Sequence, residues 1–101
     1  MATPVNVDFD LANAGTKTII LNRWGYPSYS AQVSAGSALV EGTLQRENRG
    51  ETPVWFTLDD TAGTALTAVT SGIVDIQNSP LEAIRITATG ATVGRVMQTG
   101  G

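Results

Sequence analysis

AQVSAGSALVEGTLQRENRGETPVWFTL, residues Ala31 to Leu58, decides the fold. Val33 faces the same way as Ala31. Val40, Gly42 and Leu44 alternate with Leu39, Glu41, Thr43 and Gln45, the period of two of a half-buried strand. Ala35-Gly36-Ser37 between them is turn chemistry, since Gly36 takes a positive φ with no Cβ to clash. Arg46 to Thr52 is polar or Gly throughout and reads as a solvated loop. Val54, Phe56 and Leu58 resume the alternation, with Trp55 and Thr57 on the other face. The stretch therefore predicts strand, tight turn, strand, long loop, strand. The three strands are expected to bury one face together, with the rest of the chain added to them.

Working outward, Val5, Val7 and Phe9 alternate with Asn6, Asp8 and Asp10, a first strand with an acidic open face. Asn13-Ala14-Gly15 turns the chain, and β-branched Thr16 to Leu21 is a second strand. Asp59 to Thr64 reads as a turn, and Ala65 to Val69 as a weak strand. Thr67 and Thr70 argue mildly against a helix there. Ile73 to Gln77, Leu81 to Thr89 and Thr92 to Gln98 are further strands, separated by Asn78-Ser79-Pro80 and Gly90. About eight short strands at even spacing predict an all-β fold, an antiparallel β-sandwich of jelly-roll or Ig-like type, as a single domain over 1–101. The expected inward set is Val33, Val40, Leu44, Phe56, Leu58, Ile84, Ile86 and Val96.

Composition narrows the chemistry. Charged residues are 15% of the 101, well under the usual ~25%, so the surface is polar but weakly charged. The net charge is −3 and the cations are scattered, which leaves no electrostatic footprint for nucleic acid. With no His and no Cys, imidazole and thiolate mechanisms, disulfides and the usual zinc sites are excluded. No apolar run approaches the ~20 residues of a helical membrane span. The opening MATPVNVDFD lacks the basic and apolar regions of a signal peptide, so synthesis in a cytoplasm without secretion is expected.

Three pieces resemble small virion structural proteins of tailed bacteriophages. Gln32-Val33-Ser34, Val40-Glu41-Gly42-Thr43-Leu44 and Trp55-Phe56-Thr57-Leu58 resemble their strand, V-x-G-S/T-L/N, loop, W-F-x-L run. Ser79-Pro80-Leu81-Glu82-Ala83-Ile84-Arg85-Ile86 is similar to their P-x-x-A-I/L-R-I/L strand, and Val93 to Gln98 to a final strand ending in Gln. The likeness covers roughly residues 31–98. It implies a β-sandwich that serves as a capsid decoration or cement protein, or in tails and fibres, with no catalytic site to carry over. The expected localisation is then the virion. The expected partners are the major capsid protein or other virion proteins, and further copies of the chain, with a trimer as the guess.

Candidate sites stand beside plainer readings. Asp59-Asp60, with Asp8 and Asp10, offers oxygen ligands for Ca²⁺, but matches no EF-hand loop; solvated turn carboxylates are the preferred reading. As a hydrolytic pair, adjacent Asp59 and Asp60 on a strand end point to opposite faces and do not converge. No catalytic residue, metal site or cofactor is therefore expected. Arg85, between Ile84 and Ile86, is expected to pair internally with Glu41 or Asp75 rather than with another subunit. Trp55 and Phe56 point oppositely, so one ring is expected in the core and the other under a loop, a subunit or nothing. The partner-binding candidate is the segment holding Arg23, Trp24, Tyr26 and Tyr29, residue types enriched at interface hot spots. Its alternative is a loop folding its aromatics over an open end of the sandwich.

Overall fold

The computed structural model describes residues 5–21, 28–45, 50–77 and 81–99. Eight strands form: β1 Val5–Leu11, β2 Gly15–Ile20, β3 Ser28–Ala35, β4 Ala38–Thr43, β5 Phe56–Thr57, β6 Gly72–Ile76, β7 Ala83–Ala88 and β8 Thr92–Thr99. They make two four-stranded antiparallel sheets, a first of order β1-β8-β3-β6 and a second of order β2-β7-β4-β5. No helix forms among the described residues. The all-β sandwich read from the alternation is the architecture found.

The order selects between the two sandwich types. Among the eight strands, β4 and β5 alone follow one another in sequence and share a sheet; every other step changes sheet. That is the interleaved order of a jelly roll, whereas an Ig-like sandwich keeps several sequential strands side by side.

This corrects the reading of Ala31–Leu58 as three strands on one face. β3 lies in the first sheet and β4 in the second. The turn between them is a corner, not a hairpin: Ala35 pairs with Val93 of β8, while Ala38 pairs with Ala88 of β7. The β7–β8 connection makes the same crossing directly beside it. Gly36, at φ +87°, lies so close that a Cβ there would meet the Ala91 carbonyl and stand 2.5 Å from Thr92 Oγ1. Thr92 Oγ1 donates to the carbonyls of Ser37 (3.2 Å) and Gly90 (3.0 Å), tying the two corners together.

Between the sheets lie Phe9, Ile19, Val33, Val40, Ile76, Ile84, Ile86 and Val96, all buried. Fully burying such a side chain contributes about 1.5–3 kcal/mol. Leu58 also packs inward, over Gly42, where an added Cβ would stand 2.8 Å from its Cδ2. Leu58 and Leu66 close the side of the sandwich next to β4. Leu58 N–H donates to the Val40 carbonyl, Leu66 N–H to the Leu58 carbonyl and Val40 N–H to the Leu66 carbonyl (3.0, 2.8 and 3.0 Å).

Two expected core residues are corrected. Leu44 is 65% exposed and Phe56 67% exposed. Leu44 falls just past the end of β4 at Thr43, where the chain bends and the alternation lapses. Phe56 pairs with Gly42 and keeps the inward parity. It lies, however, on an open groove whose described lining holds no residue of the first sheet's strands. The strand expected over Val54–Leu58 shrinks to two residues. The weak strand over Ala65–Val69 survives as isolated bridges, Asp59 to Ala65 and Ala38 to Val69.

Candidate functional site

The two ends of the sandwich differ. One end carries the short corners 12–14, 36–37 and 89–91, and the 58–71 connection reaches it where Val69 bridges Ala38. The other receives the connections 21–27, 44–55 and 77–82, and the main groove opens there. Its lining is Gly42, Thr43, Leu44, Gln45, Val54, Phe56, Thr57, Leu58, Gln77 and Leu81, around about 600 Å³. None of the described lining residues is charged.

Local bonds shape this groove. Thr43 Oγ1 accepts from Gln45 N–H (3.2 Å), and Gln45 Oε1 accepts from Val54 N–H (2.7 Å). The second bond clips the two stems of the long loop together and sets Leu44 and Val54 into one wall. Gln77 Oε1 accepts from Asp59 N–H (2.9 Å), and Asp59 O accepts from Gln77 N–H (2.9 Å), fixing the opposite wall. Val54 is 54% exposed, so Leu44, Val54 and Phe56 form an apolar patch on solvent. Single exposed apolar residues are ordinary, but three around one concavity make a candidate interaction surface.

On the outer face of the second sheet, Arg85 bonds Glu41 Oε1 through Nε (3.0 Å) and Nη2 (2.9 Å), and Thr87 Oγ1 donates to the same oxygen (3.1 Å). The internal pairing expected of Arg85 is thus the one present, with Glu41. The other option, Asp75, accepts instead from Ser30 Oγ (2.9 Å). The Arg85 guanidinium lies 4.7 Å from the centre of the Trp55 ring, a cation–π stack. Trp55 is half-buried there and Phe56 is exposed, so neither ring fills the core as one was expected to.

Of the four partner-binding candidates, Arg23, Trp24 and Tyr26 lie outside the described residues. Tyr29 is corrected: only 3% of it is exposed. In β3 it alternates with Ala31 and Val33 toward the core, and its hydroxyl accepts from Leu81 N–H (3.2 Å). Burial pushes its hydroxyl above the ordinary tyrosine pKa, against the lowering effect of that bond. Tyr29 therefore seals the long-loop end from inside instead of offering its ring to a partner.

The acidic candidates separate. Asp60 Oδ1 accepts from the N–H groups of Ala62 (2.8 Å) and Thr64 (2.9 Å), an Asx turn that spends the carboxylate on its own loop. Asp8 pairs with Arg95 across β1 and β8, and that hydrogen bond holds its carboxyl below the usual value. Among the described residues no three His, Cys, Asp or Glu side chains gather where they could hold a metal ion. On the outer face of the first sheet, Asp8, Asp10, Gln32, Ser34 and Arg95 line a shallow polar depression, and Ile73 beside it is 71% exposed. Sequence reading missed the Leu44–Val54–Phe56 groove because it gave Leu44 and Phe56 to the core. The signal available was Gly42: with no side chain, it leaves Phe56 no partner of its own across the strand pair.

No family model matches the chain, and no curated protein matches it. Among solved structures, the crystal structure of the SPBc2 prophage-derived protein YomS matches with a TM-score of 0.60 at 8% identity. The match covers 96% of this chain and 95% of that one. At that identity the likeness is one of fold, and it spans both sheets.

Proposed function

We propose that this chain is a structural protein of a tailed-bacteriophage particle, and that it binds the outer face of the assembled capsid shell in many copies. The observation that carries the reading is the uncharged groove with Leu44, Val54 and Phe56 exposed around it. The end-to-end fold likeness to a prophage-derived protein supports the phage setting. The mechanism is mechanical. Each copy adds buried apolar area across subunit boundaries, so that rupture of the shell must also break these contacts. A stable interface needs roughly 800 Å² from each partner. Symmetric copies, a trimer among the simplest, share that requirement. Apolar burial is little screened by salt, and few charges are available to be screened.

The test mixes the protein with shells that lack it, at low and high salt, beside the Trp24→Ala and Tyr26→Ala variants. Binding that survives high salt is expected, weakened in the variants if the Arg23–Tyr29 segment also touches the shell. A parent that binds no shell removes the reading. A second reading, a tail or fibre accessory domain binding a host surface receptor or glycan, is favoured by the depression of Asp8, Asp10, Gln32 and Ser34. It offers carboxylates, an amide and a hydroxyl of the kind that hold sugar hydroxyls. Copies spread over the shell in a particle map support decoration, and a few copies at one vertex support the accessory role.

A further inference from the structure

We infer that the groove beside β5 receives an extended, uncharged, apolar peptide segment of a neighbouring virion protein, laid along β5 as an added strand of the second sheet. This rests on the virion reading above for the identity of the neighbour, and on the geometry of β5 for the mode of docking.

The edges of the two sheets are treated differently. β1 carries Asp8 and Asp10 on its outer face. β2 carries Lys17 at a position paired with inward-facing Ile86, a charge that opposes any strand stacking on that edge. The free edge of β6 is covered: Thr61 N–H donates to the Asp75 carbonyl, Gln77 N–H to the Asp59 carbonyl, and Asp60 bridges Ile76. Charges, inward-pointing ions and covering loops are the devices that prevent unwanted strand addition. β5 carries no such charge, for Val54 to Leu58 contains none.

β5 also has the backbone to accept a strand. It is the outermost strand of the second sheet and pairs Phe56 with Gly42 and Thr57 with Glu41. Leu58 N–H donates to the Val40 carbonyl. Residues of an antiparallel strand turn their N–H and C=O alternately toward and away from one neighbour. Since Leu58 turns toward β4, Phe56 does too, and Thr57 presents its N–H and C=O to the open side. Val54 and Phe56, two residues apart, both line the groove, which is the spacing at which an added strand finds side-chain sockets.

Size and charge choose the occupant. An ionic group entering a groove whose described lining is uncharged would lose water and gain no partner from those residues. Three exposed side chains are far less than the roughly 800 Å² that each half of a stable pair supplies, so this groove does not by itself hold two free copies together. A cleft of about 600 Å³ does suit a few side chains of one extended segment.

The test places the photo-crosslinker p-benzoylphenylalanine at position 56 and irradiates assembled particles, with the joined peptides identified by mass spectrometry. The expected product joins this chain to an uncharged, apolar stretch of a different virion protein. A product joining two copies, a link within one chain, or no link overturns the inference. Binding of purified protein to shells then separates the two readings. Phe56→Asp and Thr57→Pro, the latter removing the outward N–H on an edge that tolerates Pro, are each expected to weaken shell binding about tenfold or more. Both should keep the melting temperature of the parent. If the parent binds shells and both variants bind equally well, the docking mode fails and the capsid reading stands. If the parent binds no shell but position 56 crosslinks to a tail protein, the capsid reading fails and the docking mode stands.

Discussion

Replacing Gly36 by Ala tests the corner that makes this fold a jelly roll. Two costs add there. At φ +87° an Ala sits in left-handed backbone, which costs about 1–2 kcal/mol. Its Cβ would also press on the Ala91 carbonyl and stand 2.5 Å from Thr92 Oγ1 and 2.8 Å from Thr92 Cα. Two of these three contacts are backbone and cannot rotate away, so the corners must part. Overpacking of this kind costs typically ~1–3 kcal/mol more. Gly63 supplies the control. Its φ is +88°, and a Cβ there meets nothing within 4 Å. Gly63→Ala should therefore cost about 1–2 kcal/mol, and Gly36→Ala about 2–5 kcal/mol. The assay is urea unfolding followed by tryptophan fluorescence, where an unchanged slope lets the shift of midpoint report stability. Equal losses in the two variants would refute the argument, because backbone strain alone would then account for both and the corners would not be in contact.

Three further outcomes are expected. Ile84 is fully buried, and Ile84→Ala should cost about 2–5 kcal/mol; an unchanged melting temperature would mean that β7 is in another register. A double-mutant cycle of Glu41→Gln with Arg85→Ala should give a coupling of about 0.5–1 kcal/mol, since the pair is partly exposed; zero coupling would reduce it to a surface contact. Tyr29→Phe leaves the buried Leu81 N–H without its hydroxyl acceptor and should cost about 1–3 kcal/mol at neutral pH. Because burial raises the Tyr29 pKa in the folded state, its contribution is whole below the unfolded value of 10.0 and is lost as pH climbs through the raised one. Alkaline unfolding curves of Tyr29→Phe should lack that loss, and an identical alkaline limb in both proteins would contradict the burial argument.

The strands were legible because alternation is a local property. Ile84, Ile86 and Ala88 face inward with Arg85 and Thr87 between them, and the sequence shows as much with no partner in view. Sheet membership is not local. Ala35-Gly36-Ser37 carries the signature of a hairpin turn, and the same residues serve a corner equally well. What makes it a corner is the approach of Ala91 and Thr92, more than fifty residues along the chain. Sequential strands usually pair, so a reader takes β3 and β4 as neighbours. The jelly roll breaks that habit at every step except β4 to β5. Arg85 was legible in part. Its place on an outward position pointed to a cross-strand acid, and register chose Glu41, directly opposite it, over Asp75 in the other sheet.

Phe56 shows why the candidate site was harder to read than the core. Its parity is inward, as the alternation with Leu58 says, and yet it stands in solvent. Facing inward buries a side chain only where the opposite sheet reaches, and no described strand residue of the first sheet lines the groove where Phe56 stands. The same geometry explains the position of the groove. At the corner end, the 36–37 and 89–91 connections pack on one another, and a single added methyl at Gly36 has nowhere to go. At the far end Leu81 N–H bonds the Tyr29 hydroxyl beside the groove, and Leu44, Val54 and Phe56 stand in solvent. On the proposed reading, the Gly36 corner serves stability alone, while recognition belongs to the exposed rim of the opposite end. Substitutions at the corner should reach binding only by unfolding the domain, while Phe56→Asp should change binding and leave the unfolding midpoint in place. A Phe56 variant that melts well below the parent would break this division, for it would mean that the ring supports the fold after all.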